Sequence, residues 1–327
     1  MSIVGTCLGY CPLHEAKERR KMQDLSKYER PPYVPVKKYR RSAAGAIIKP
    51  HDVRPVHVLV ETTTYLLSLL PSQLTLPLDL YHFLDDRFRA VRSDLTLQGA
   101  FALDVLQPIA RFYILAQCIL RLETRSGPVP YASLQKLLED QLSSVLLLLR
   151  ESSVEFRRLH LVLHQDARDF AYELRHCAQA PNDATWRSTL ALVTPAPYYI
   201  AGLHPLETDL LARALRFGKL EADLHQQMVI LAKAYTKQDR FPVADLARFL
   251  RLHEEACALA LLRGYGVAVT PASLDGEPAF FRFNEAPLPE AMTSDASTTL
   301  LVSEFASLQS LGGDTSFRDL ALLGQPL

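Results

Sequence analysis

Residues 83–98 read FLDDRFRAVRSDLTLQ, and the way this stretch can be buried decides the fold. Phe83, Leu84, Val91 and Leu95 need a core, yet Asp85, Asp86, Arg87, Arg89, Arg92, Asp94, Thr96 and Gln98 are interleaved with them. A helix that takes so many charges against a core is costly unless the charges pair. The spacing supplies opposite signs on neighbouring turns: Asp85 stands four residues before Arg89, and Arg89 stands three before Arg92 and five before Asp94. The segment therefore predicts a helix over 78–98 of fixed architecture. Its structural polar network consists of Asp86, Arg87, Arg89, Arg92, Asp94 and Gln98, with Arg54 upstream.

On both sides apolar residues keep a helical rhythm. Val58, Thr62, Tyr65, Leu66 and Leu69 share a stripe, and Val105, Ile109, Phe112, Ala116 and Ile119 recur at steps of four, three, four and three. Breakers at Ser126–Pro130, Ala180–Asp183, Thr194–Pro197 and Gly202–Pro205 divide the middle into predicted helices near 131–150, 153–178, 183–193 and 206–216. No repeat of fixed period is visible, so stacked helical hairpins follow from helix lengths and short connections. After a helix at 219–236 the pattern changes. Phe241-Pro242-Val243 leads into VADLARFL (243–250) and HEEACALALLRGYG (253–266), then VAVTP, a turn at Leu274–Pro278 holding Asp275-Gly276, and AFFRF (279–283). Three helices followed by two short β-rich runs about a DG turn predict a winged helix with a small β-hairpin.

The expected fold class is mostly α: stacked helical hairpins of a TPR or PCI type ending in that winged helix. The expected division is a 1–53 extended basic N-terminal arm broken by prolines with one short helix near 12–25, a 54–216 helical-repeat region, a 217–286 winged helix and a 287–327 acidic, partly flexible tail. In the tail STTLLVSEF (297–305) and FRDLALLG (317–324) are apolar stretches too small to fold alone.

Lys and Arg total 36, as do Asp and Glu, so the whole chain carries no field that demands a nucleic acid. The distribution is uneven: residues 1–60 hold 12 Lys/Arg against 5 Asp/Glu, while residues 275–327 hold 2 against 8. Five cysteines (Cys7, Cys11, Cys118, Cys177, Cys257) make an odd number, and MSIVGTCLGYCPLHE has no secretory pattern. No run of about 18 uncharged apolar residues occurs. These features predict an intracellular, soluble chain with reduced thiols and no membrane partner.

Upstream of the charged helix stand GTCLGYCPLHEAKERR (5–20), VKKYRRSAAG (36–45) and RPVHVLVETTTYL (54–66). With FLDDRFRAVRSDLTLQ they form four ordered blocks that resemble the signature blocks of the Sac/GANP family. Leu8, Gly9 and Tyr10 fill the place of an expected Pro-Asp-Met, and Asp85 stands where the family usually has an aromatic. The resemblance implies a PCI-type layout, in agreement with the helical pattern. It also implies a non-enzymatic scaffold in the nucleus, assembled with a second PCI-domain protein and a small acidic subunit, that couples transcribed messenger RNA to export. Short members of the family, similar to this chain in extent, are associated with centrosome duplication and mitotic progression, so a cytoplasmic or centrosomal role is the alternative. An enzyme with a cleft among helices is a third reading.

Chemistry-bearing motifs are sparse. Cys7, Cys11 and His14 are zinc-ligand types, but no second Cys/His pair follows at the spacing of a closed four-ligand site, which favours a buried turn pinning the arm. His160 and His164 share a helix face without the Glu of a metalloprotease helix. GxSxG, CxxC, GxxxxGK[ST] and GxGxxG are all missing, so no catalytic, cofactor or metal residue is assigned.

The run KKYRR (37–41) reads either as a phosphate-contacting patch or import signal, or as a basic arm packed on the domain through Lys37, Tyr39, Arg41 and Ser42. HEEACALALLRG lacks the Arg, Lys, Asn or Gln that read base edges. Any contact with RNA or single-stranded nucleic acid is then expected to be nonspecific, through Lys37, Lys38, Arg40, Arg41, Lys233, Lys237, Arg240 and Arg248, with Arg251 beside them.

Overall fold

The computed structural model describes residues 3–41, 48–123, 131–164, 170–172, 210–217, 220–250, 252, 254–273, 277–283, 288–289, 294–312 and 315–323. In chain order the helices are α1 (Leu13–Lys21), α2 (Val56–Leu67), α3 (Leu78–Gln98), α4 (Leu103–Glu123), α5 (Tyr131–Leu149), α6 (Val154–Leu163), α7 (Leu210–Phe217), α8 (Leu220–Ala234), α9 (Val243–Leu250), α10 (Glu255–Gly264), α11 (Ser294–Gly312) and α12 (Phe317–Leu323). Three short strands, β1 (Phe241–Pro242), β2 (Val269–Thr270) and β3 (Phe280–Phe281), form one antiparallel sheet. The protein is thus mostly helical with a small sheet, as the periodicity predicts. It divides into two compact units, Met1–His160 with Asp314–Leu327, and Leu161–Gly313.

In the first unit α3 begins directly after Pro77, with Asp79 in its first turn against the positive helix end, and stops at Gly99. Gly99 has φ 59°, the left-handed conformation that glycine adopts without a Cβ clash. The helix packs on α2 and α4, and α4 packs in turn on α5 and α12. All five residues of the α4 stripe, Val105 to Ile119, are buried. Phe112 is the hub: its ring lies 5.1 Å from Phe88, 5.4 Å from Tyr113 and 6.2 Å from Phe317 of α12. By length and composition Leu103–Leu122 would suffice to cross a membrane, but 83% of that window is buried inside the protein, the mark of a core helix.

In the second unit β3 is central, pairing with β1 through Phe241 opposite Phe281 and with β2 through Val269 opposite Phe281. AFFRF alternates as a half-buried strand does: Phe281 and Phe283 face the core while Phe280 and Arg282 are partly exposed. Tyr235, Phe241, Phe281 and Phe283 pack with centroids 4.8–5.9 Å apart. The buried faces of α8, α9 and α10 close on this cluster through Met228, Leu246, Leu250, Leu261 and Leu262.

The sheet has one strand more than expected, because Phe241-Pro242 pairs with β3 instead of only leading into α9. The two apolar stretches of the tail are placed in separate units. α11 packs on α7 and α10, whereas α12 returns to α2 and α4. The predicted Asp275-Gly276 turn and the helix near 183–193 lie outside the described residues, as does most of 153–178 beyond Leu163.

Candidate functional site

The arm is fastened to α3 by charged side chains, and this clamp is where the predicted polar residues meet. α1 buries little apolar surface. Its buried residues are Glu15, Ala16 and Arg19, while Leu13 points to water. The chain then turns through Lys27–Glu29, where Ser26 and Glu29 form a capping box, and Glu29 becomes the centre of the lower half of the clamp. Arg19 donates to both oxygens of Glu29, with 2.9 Å to Oε1. Arg87 of α3 donates to Oε2 at 2.9 Å, and the Val36 amide to Oε1 at 3.0 Å. Arg87 also bonds Asp86 and lies 4.7 Å from the Phe83 ring centroid. Asp86 in turn accepts from the Tyr39 amide at 3.1 Å, and the Arg89 guanidinium covers the Tyr39 ring at 4.2 Å.

Asp94 organises the upper half. It receives Lys37 Nζ on Oδ1 at 2.6 Å and Arg54 Nε on Oδ2 at 2.7 Å, with both the Arg54 and Asp94 side chains fully buried. Arg54 reaches on to the Tyr10 carbonyl at 3.3 Å, while its Nη2 has no hydrogen-bond partner. Gln98 completes the clasp, accepting from the Gly5 amide at 3.2 Å and donating to the carbonyls of Arg54 at 2.9 Å and Asp94 at 2.8 Å. Gly5 itself passes so close that a Cβ there would sit 2.6 Å from the Val53 carbonyl oxygen, and the Cys7 amide bonds that same oxygen at 3.0 Å. Only glycine permits this approach.

The charges of α3 therefore pair mainly across elements and not along the helix surface as their spacing suggests. Asp85 accepts from the Tyr113 hydroxyl at 2.8 Å, and Arg92 turns toward α5, donating to Gln141 Oε1 at 2.9 Å and to the Ser144 hydroxyl. Environments differ accordingly. Burial would raise Glu29, but the Arg19 hydrogen bonds and the Arg87 charge outweigh it and hold the carboxyl below its ordinary value. Burial raises Asp85, only partly opposed by the Tyr113 hydroxyl, and lowers Arg92. Burial also raises the Cys7 thiol and pushes Cys11 up to about 12, so both are protonated at neutral pH. Their Sγ atoms do not join His14, which groups with His51 and Asp52.

Of the residues assigned to arm docking, Lys37 and Tyr39 make the contacts above, Arg41 is exposed, and Ser42 lies outside the described residues. Of those assigned to nucleic acid, Lys37 directs its ammonium inward to Asp94 and the Asp52 carbonyl. Lys38 pairs with Asp24 at 3.1 Å and Arg40 lies 3.9 Å from Glu18. In the second unit Lys233 and Lys237 are exposed, and Arg248 bonds Asp245. Arg240 lies 3.7 Å from Glu277 and 4.7 Å from the Phe280 ring, which Arg282 flanks at 5.5 Å. Arg251 is outside the described residues. Sequence reading missed Glu29, Arg19, Glu15 and Arg282. The Ser26-x-x-Glu29 capping box and the alternation of AFFRF are the signals that carry two of them.

The clamp holds every ionic side chain of its centre in a pair, so what it does chemically is fix the path of residues 5–39 over α2 and α3. "SAC3 family protein B" of Arabidopsis thaliana is 38% identical over 126 residues, 35% of this chain and 7% of that protein. "SAC3 family protein 1" of Schizosaccharomyces pombe (strain 972 / ATCC 24843) is 36% identical over 127 residues, again 35% of this chain and 12% of the relative. The shared stretch is thus a small part of these longer proteins. Residues 10–271 match the SAC3/GANP family, a span that takes in the clamp residues from Tyr10 onward, helices α1 to α10, β1 and β2, and the chain belongs to that family.

Proposed function

We propose that this protein is a non-enzymatic scaffold acting in export of messenger RNA from the nucleus, coupled to transcription. The observation that carries the reading is the family match over residues 10–271, because it spans both compact units and not the arm alone. The fold supports it. Helices α9 and α10 followed by β2 and β3, with β1 closing the sheet in the order β1-β3-β2, form a winged helix in this reading, and the helices before it the stacked hairpins of a PCI-type domain. α10 buries Cys257, Ala258, Leu261 and Leu262 and exposes Glu254 and Glu255, a composition suited to protein contact and unsuited to reading bases. A second PCI-domain protein and a small acidic subunit are the partners proposed. Lys38, Arg40, Arg41, Lys233, Lys237, Arg240 and Arg248 supply backbone contacts to RNA without sequence specificity.

Affinity purification of the tagged full chain from nuclear extract, followed by mass spectrometry, tests this. Recovery of a PCI-domain protein together with a small acidic subunit is expected. Recovery of centrosomal proteins in their place, or of neither partner, overturns the export reading.

A further inference from the structure

Three imidazole and carboxylate groups converge beside the clamp, and none of them takes part in it through its side chain. His14 comes from the first turn of α1, and His51 and Asp52 from the 3-10 turn Pro50–Asp52. His14 Nε2 lies 3.4 Å and His51 Nε2 3.6 Å from one and the same oxygen, Asp52 Oδ1. The ligand atoms of all three residues lie within 4.8 Å of one another, and the two rings meet edge to face with centroids 5.9 Å apart. That arrangement is poorly explained as an ion pair. Asp52 Oδ1 is shielded from solvent and has no hydrogen-bond partner, although an imidazole nitrogen of each histidine lies within 3.6 Å of it. An oxygen left without a hydrogen bond between two close imidazole nitrogens is satisfied when a cation takes all three atoms as ligands.

The distances also fit one. Ligands bound at about 2.0–2.1 Å around a tetrahedral zinc ion stand roughly 3.3–3.4 Å apart, close to the two separations to Asp52 Oδ1. We propose that His14, His51 and Asp52 bind a divalent transition-metal ion, zinc by preference, which fastens α1 to the Pro50–Asp52 turn. Two imidazoles with one carboxylate select zinc, cobalt or nickel over magnesium and calcium, which take oxygen ligands. Both histidine side chains are about 60% exposed, so water completes the coordination and the ion has an open path of entry. The turn is braced for the task. Asp52 N donates to the Lys49 carbonyl at 2.9 Å, Lys37 Nζ to the Asp52 carbonyl at 2.5 Å, and the Thr6 amide to the Pro50 carbonyl at 2.9 Å. Lys37 directs its ammonium to Asp94 and to the Asp52 backbone carbonyl and makes no ion pair with the Asp52 carboxylate.

Cobalt(II) titration of the full chain, reduced and at pH 7.5, reads the site directly. One equivalent bound, with visible d–d absorption and no thiolate-to-cobalt charge-transfer band, is expected. His14→Ala and His51→Ala each weaken that binding by about ten-fold or more, the loss produced by removing even an outer partner of a metal ligand. Zinc raises the melting temperature of the unaltered chain by more than that of either variant at the same concentration. Both side chains are exposed, so the metal-free variants melt as the parent does. Cobalt binding that survives both substitutions, a thiolate charge-transfer band, or no binding at millimolar cobalt overturns the proposal.

Discussion

Replacing Asp94 by alanine tests whether the clamp is the structural lock described above. Asp94 accepts from both Arg54 and Lys37, and the Arg54 side chain is fully buried, so the substitution leaves a guanidinium in the interior whose remaining side-chain hydrogen bond is to the Tyr10 carbonyl, 3.3 Å from Nη1. Removing one partner of such a buried pair costs about 3–5 kcal/mol. The exposed Lys38–Asp24 pair, with side chains 42% and 49% accessible, offers the comparison: an ion pair of that kind contributes about 0–1 kcal/mol, so Asp24→Ala should be nearly silent. Amide hydrogen exchange read by mass spectrometry separates the regions. Peptides covering α1, α2 and α3 should lose protection by roughly two to four orders of magnitude in Asp94→Ala, since each ten-fold change is about 1.4 kcal/mol. Peptides covering α9 and α10, which belong to the other compact unit, serve as the internal standard and should not change. A fall of less than about ten-fold in the arm and α3 would place this pair with ordinary surface pairs and refute the lock.

Glu29→Gln should lower the urea midpoint at pH 7 and lose its effect in acid. A carboxyl held below its ordinary value of 4.5 contributes stability that is present above that value and disappears as pH falls through the folded-state value, so an equal gap at pH 7 and pH 2 would contradict the assignment. Asp85 has the opposite sign: its raised folded-state value makes stability fall as pH climbs through it. Asp85→Asn, which keeps an acceptor for Tyr113, should therefore raise the melting temperature at pH 7.5 and have little effect at pH 3. Charge reversal at Lys237, Arg240 and Arg248 should weaken RNA retention in a filter assay and reduce the salt slope by about one for each phosphate contact removed, and unchanged binding would take these residues out of the interface.

The helices and the small sheet were legible because apolar periodicity records burial directly. VADLARFL predicts 243–250 and the structure has Val243–Leu250; the stripe from Val105 to Ile119 is buried throughout. Strand β1 was not legible. A two-residue strand containing proline has almost no pattern of its own, and its pairing with Phe280 and Phe281 is set by a partner some 40 residues away. The return of α12 to the first unit was hidden for a similar reason, since seven residues cannot say which core Phe317 will enter.

The clamp shows a deeper limit of pattern reading. α1 docks through Glu15 and Arg19, so its buried face is charged and its exposed face carries Leu13; a search for apolar stripes assigns that helix to the wrong face. The charged content of α3 predicts a network. Its partners could not follow from spacing, because neighbours on a helix surface compete with residues brought in by the fold, and desolvated partners win. Arg87 meets Glu29 across 58 residues of chain, and Asp94 meets Arg54 across 40. Those contacts explain how an arm with few apolar anchors holds one path. Hydrophobic contact tolerates sliding, whereas a buried guanidinium that loses its carboxylate is left unpaired. A shift of the arm by one residue would break the Glu29 and Asp94 halves together, which makes register the property these charges secure.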